Sequence, residues 1–135
     1  MRPFRPKALA RYAVPELRPR MGPGERVWRY TVIVPLEEVR PAKRRIATEV
    51  DVENLERMFS RHFGGLTTPP PSVGRGLRDP ADHSVEPEMN YNAYFVVYAS
   101  PVREADAYFL ALKRELEEAL DEGVILIERQ EVLLL

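Results

Sequence analysis

The chain has 135 residues, 44% of them hydrophobic and 30% charged, with a net charge of −1 and no cysteine. That composition fits one globular domain with a core of its own and excludes disulfides, thiolate metal sites and cysteine nucleophiles. No apolar run approaches the ~20 residues that span a bilayer, and the arginines near the start are not followed by an apolar segment of the secretory kind. A cytoplasmic protein with no membrane segment is the expectation.

The small net charge hides an asymmetry. Residues 1–24 hold Arg2, Arg5, Lys7, Arg11, Arg18 and Arg20 against Glu16 alone, so +5 sits there and −6 on the rest. Pro3, Pro6, Pro15, Pro19 and Pro23 forbid a continuous helix in this stretch. It reads as a basic, proline-rich arm preceding a domain over 25–135. Its use is either as a strap that packs Phe4, Leu9, Tyr12, Val14 and Leu17, or as an arm for nucleic acid or another acidic partner.

Val27 to Val34 alternates as a strand, with Trp28, Tyr30, Val32 and Val34 on one face, and Pro35 limits its far end. Glu37 to Glu49 reads as a charged connector, and its Lys43-Arg44-Arg45 run as a solvated loop. Asp51 is placed as the N-cap of a helix whose stripe is Leu55, Met58, Phe59 and His62 or Phe63, with Gly64 ending it in the left-handed conformation. Ser72 to Leu77 is a weak strand thinned by Gly74 and Gly76. Tyr91 to Ala99 is the strongest strand, apolar on both faces and therefore central. Ser100 and Pro101 open a second helix with Ala105, Tyr108 or Phe109, Leu112, Leu116 and Leu120 inward, closed by Gly123. Val124 to Ile127 is the last strand, extended by Val132 to Leu135 past a break at Arg129-Gln130.

The order β-α-β-β-α-β predicts a ferredoxin-like α+β sandwich: a four-stranded antiparallel sheet with both helices on one face. The opposite face then carries apolar and tyrosine side chains without a helix over them, which calls for a partner. A homo-oligomer is expected, joined through that face or through the arm.

The helix ending in Phe63-Gly64-Gly65-Leu66-Thr67, the Gly74/Gly76 segment, the acidic loop, the Tyr94-Phe95-Val96-Val97-Tyr98 strand and the closing Val124-Ile125-Leu126-Ile127-Glu128 together resemble a group of small uncharacterised prokaryotic proteins. These share the phenylalanine-glycine-glycine-hydrophobic-threonine run. The resemblance spans about residues 27–132 and implies a ferredoxin-like fold; Leu77 stands where relatives often carry tryptophan. It implies no catalytic residue.

Candidate chemistry is sparse. Asp79, Asp82, His83, Glu86 and Glu88 crowd one loop, but their spacing fits no metal motif, so the loop reads as solvated and no metal or cofactor is expected. His62 reads as a partly buried structural histidine. Arg75 and Arg78 beside thin glycine backbone can hold a carboxylate or phosphate, and with His83, Tyr91 and Tyr94 they form the candidate ligand-binding site for a small anionic molecule. The leading expectation is a self-associating, non-enzymatic interaction or structural domain. A small-molecule binder or enzyme at the Arg75–Arg78–His83 cleft comes next, and nucleic-acid binding through the arm ranks last.

Overall fold

A computed structural model describes residues 4, 6–76, 81, 82, 84 and 86–135. The strands are β1 (Arg26–Arg40), β2 (Arg44–Arg45), β3 (Ser72–Gly76), β4 (Glu88–Ala99) and β5 (Leu126–Leu133); the helices are α1 (Glu49–Phe63) and α2 (Arg103–Ala119). All pairings are antiparallel. β1 and β4 form the centre, β3 lies beyond β4, and the other edge of β1 is shared by β5 along Arg26–Ile33 and by β2 at Glu37 and Glu38. Leaving β2 aside, this is the expected ferredoxin-like arrangement. Both helices cover one flank: Phe59 and Phe63 of α1 stack near Phe109 of α2, Phe59 meets Phe95 of β4, and Tyr30 of β1 lies 3.8 Å from Phe109, centroid to centroid.

Several boundaries differ from the sequence expectation, each for a visible reason. Pro35 does not end the first strand, because register shifts at Pro35/Glu37 and Glu38/Arg40 absorb its missing amide and carry β1 on to Arg40. The Lys43-Arg44-Arg45 run is not a solvated loop. Arg44 bonds the buried Glu38 at 2.7 Å and Glu122 at 3.1 Å, tying the β1–β2 ribbon to the turn after α2. Thr48, not Asp51, is the N-cap of α1. Asp51 sits three residues in and returns a bond to the Thr48 amide, completing a capping box. Gly64 takes φ 91°, as a helix-ending glycine should.

The N-cap of α2 is Val102 and it contributes no side-chain bond. Ser100 is engaged elsewhere: its amide donates to Leu17 O at 3.0 Å and its hydroxyl to Arg18 O at 2.7 Å. The left-handed position after α2 belongs to Asp121, φ 52°, rather than Gly123. β5 runs unbroken through Arg129 and Gln130, since Arg129 is anchored to the helix layer and Gln130 bonds Arg29 on β1.

The proline-rich segment packs on its own chain. Two short 3-10 helices (Pro6–Tyr12 and Pro15–Leu17) lie against α1 and α2, and Phe4, Leu9 and Leu17 join the core. Arg18 donates to Arg61 O at 2.7 Å, placing a cation on the C-terminal carbonyls of α1. The opposite flank of the sheet has no helix among the described residues. It presents Arg29, Thr31 and Ile33 of β1 with Asn92, Tyr94, Val96 and Tyr98 of β4, all partly exposed, so polar and apolar groups alternate there.

If the strap is part of the core, Leu17→Ala lowers the unfolding free energy by about 3 kcal/mol, the range for a truncated buried leucine. Urea denaturation reads this directly; a change below about 0.5 kcal/mol means residues before Arg26 are a loose tail. Thr48→Ala costs about 1 kcal/mol in the same assay through loss of the cap.

Candidate functional site

Of the residues singled out from sequence, Arg75, Tyr91 and Tyr94 are described. Arg75 pairs with Met89 and Val73 with Tyr91 at the β3 edge. By the alternation of β4, Tyr91 falls on the helix-bearing face with Ala93 and Phe95, whereas Tyr94 falls on the opposite one, where Ser72 donates to its hydroxyl at 3.1 Å. The two tyrosines therefore lie on opposite faces of the sheet. Arg78 and His83 lie outside the described residues, as does Asp79 of the acidic loop. Asp82 accepts from the Ser84 amide at 3.0 Å and from its hydroxyl, which holds the Asp82 carboxyl below its ordinary range and makes it a turn residue. Among the described residues no group of three His, Asp or Glu side chains is placed to hold a metal. Nearby, Asn90 Oδ1 is buried without a hydrogen-bond partner among the described residues.

His62 is structural, as expected. Its Nδ1 lies 2.7 Å from the hydroxyl of Tyr108, which is fully buried and needs one partner. Burial, then the charges of Arg61 and Arg18, lower the His62 pKa, so the ring stays neutral in the fold.

A cleft of about 230 Å³ opens between α2 and β5. Its origin is geometric. Near one end, Asp106 in the first turn of α2 meets Arg129 of β5 at 2.6 Å. Near the other, Lys113 donates to Ile125 O at 2.7 Å, while the Ile125 amide donates to Glu117 at 2.9 Å. Between these two ties the helix and the strand stand apart, with Tyr30, Phe109, Leu110 and Ile127 on the walls.

The polar end of the cleft is tied together by hydrogen bonds. Tyr30 donates to Asp106 Oδ1 at 2.6 Å and Arg129 donates to Oδ2, so both oxygens of one carboxylate are engaged. The Arg129 guanidinium lies 4.0 Å over the Trp28 ring, and Tyr30 and Arg129 are cross-strand partners. Burial, then the bond to Asp106, pushes the Tyr30 pKa well above that of a free phenol, so Tyr30 remains a proton donor at physiological pH. Glu128 and Lys113 complete the lining with opposite charges. The set offers an apolar slot, a flat cation–aromatic pair and a fixed carboxylate: recognition groups, without an activated nucleophile.

A broader depression of about 670 Å³ lies where the strap meets the starts of β1 and α2, lined by Arg18, Arg20 and Arg26 with Glu16 and Glu25. Its charges are mixed and Arg18 is committed to α1.

None of Trp28, Asp106 or Arg129 was legible as a site residue. The available signal was an arginine inside an otherwise strand-like closing run, which read as a break.

No family model matches the chain, and neither does any curated protein. Among solved structures, a phage SAM lyase in complex with S-methyl-5′-thioadenosine is similar in fold. Its TM-score is 0.55 at 17% identity, over 83% of this chain and 84% of that one. At that identity the likeness extends to the fold.

The neutral state of His62 gives a pH prediction. Its folded pKa is depressed, so protonation favours the unfolded chain. The stability it contributes is complete above the ordinary histidine pKa of about 6.5 and declines as pH falls below it. Thermal unfolding followed from pH 7.5 to 5 shows a fall in Tm that is smaller in His62→Gln; equal falls in both proteins contradict the assignment.

Proposed function

We propose that the chain is a small-molecule-binding domain whose site is the cleft between α2 and β5. The observation that carries this is the Tyr30–Asp106–Arg129 relay over Trp28 beside the apolar slot. Three polar side chains from three elements, each hydrogen-bonded to another of the three, make a preorganised recognition surface, and preorganisation lowers the entropic cost of binding. Balanced charges at the rim favour a neutral or zwitterionic ligand over the anion expected from sequence. The slot between Phe109, Leu110 and Ile127 suits a flat ring or a thioether tail. The phage lyase of similar fold was solved with a ligand of that kind, a thioether nucleoside, and this supports the same class here.

Isothermal titration with S-methyl-5′-thioadenosine and with S-adenosylmethionine tests the reading. Micromolar to low-millimolar binding of at least one is expected, weakened at least tenfold in Asp106→Asn with the fold retained. Absence of heat with both at millimolar concentration, or binding indifferent to Asp106→Asn, overturns it.

A second reading, self-association, is favoured by two further observations. One face of the sheet has no helix over it among the described residues, and Leu126 and Leu133 on the outermost strand are 57% and 50% exposed. Sedimentation velocity of the whole chain at 10–100 μM reads this as a dimer or larger species; a monomer throughout removes it.

A further inference from the structure

We propose that two copies of the chain join edge to edge through β5, extending the sheet across a two-fold axis that passes Gln130. This rests on the self-association reading and names its surface. β5 is paired on one side only: its partner is β1, and among the described residues no strand occupies its outer edge. An unpaired edge of eight residues with exposed leucines at both ends is a template for another strand.

The direction of the backbone groups narrows the registers. Leu134 N donates to Glu25 O and Leu134 O accepts from Gly24 N, so Leu134 faces the β1 side. By the two-residue period, the amides of Ile127, Arg129, Glu131 and Leu133 point outward. A partner strand satisfies them only in registers that set these odd-numbered positions opposite one another. Centring the axis on Arg129 puts that arginine against its own copy; centring it on Glu131 does the same with two carboxylates. Centring it on Gln130 puts Arg129 opposite Glu131 of the second copy, twice by symmetry, and sets Ile127 against Leu133 and Leu126 against Leu134. Opposite charges meet in the middle and aliphatic residues at both ends, the cross-strand pattern that stabilises antiparallel ribbons. The closing run Leu126-Ile127-Glu128-Arg129-Gln130-Glu131-Val132-Leu133 is thus close to self-complementary about its centre, as a two-fold interface requires.

The edge charges Glu128, Arg129 and Glu131 also discourage pairing with unrelated strands, so the same residues that select this register reject others. The geometry has a consequence for the cleft. Odd positions of β5 face the helix layer, so Leu133 of the second copy would lie beside Ile127, on the open side of the α2–β5 slot. Its present exposure is then the exposure of half an interface.

Sedimentation equilibrium of the full chain tests this with two variants. Glu131→Pro removes an outward amide that β1 does not use, leaving the β1 ladder intact. Glu131→Arg sets arginine against Arg129. The wild type is expected to be a dimer, and each variant to raise the dissociation constant at least tenfold with circular dichroism unchanged. If Glu131→Pro fails to fold, Glu131→Arg decides alone. A wild-type dimer unaffected by the folded variants overturns the β5 interface while leaving self-association standing; a wild-type monomer at 100 μM overturns both.

Discussion

The structure depends on one contact: the ring of Phe109 wedged between Tyr30 below it and Phe59 and Phe63 beside it. Phe109 belongs to α2, Tyr30 to the central strand, and the other two rings to α1. A single side chain therefore joins three elements far apart in sequence. Each ring pair adds about 0.5–1.5 kcal/mol beyond the apolar area it buries. More important is what the cluster dictates. With Phe109 held in place, the helices cannot part from each other or slide to opposite faces. Tyr108, the residue before it on α2, turns to the other side and reaches His62 and Phe63, which fixes the rotation of the helix about its axis.

That fixed rotation determines where the cleft falls. One helical turn before Phe109 lies Asp106, aimed at Tyr30 and Arg129; one turn after it lies Lys113, aimed at the start of β5. The two ties hold α2 over the sheet at both ends without closing the gap between. The strap works in the same direction from the other side. Leu17 fills the core and its carbonyl occupies Ser100, which leaves the first turn of α2 uncapped by any side chain. Of the two uses the sequence allows for the proline-rich segment, the packed strap is the one the structure shows, and one of its cations is committed to the end of α1.

Much of the fold was legible because it rests on local periodicity. The aromatic run Tyr91–Ala99, the stripe Leu55–Phe59–Phe63 and the left-handed Gly64 each declare their state within a few residues. Where the reading of the sequence differs from the structure, a distant residue had already claimed a local signal. Ser100 looks like a helix cap until Leu17 and Arg18 are seen to engage it. Lys43-Arg44-Arg45 looks solvated until Glu38 and Glu122 are brought to Arg44. Arg129-Gln130 looks like a break until Asp106 supplies the carboxylate that Arg129 needs. The recognition cluster was illegible for this same cause: Trp28, Asp106 and Arg129 stand on three separate elements, β1, α2 and β5, and only the β1–β5 register together with the rotation of α2 brings them into contact.

The most direct test of the account is a map of which amides respond to S-methyl-5′-thioadenosine in a two-dimensional nitrogen–proton NMR spectrum. Shifts concentrated at Asp106, Leu110, Ile127 and Arg129 are expected, with the β3 edge at Val73 to Arg75 silent. Shifts confined to the strap depression around Arg20 and Val102, or to Asn90 and Tyr94 on the far face, would contradict it, as would a spectrum that does not change.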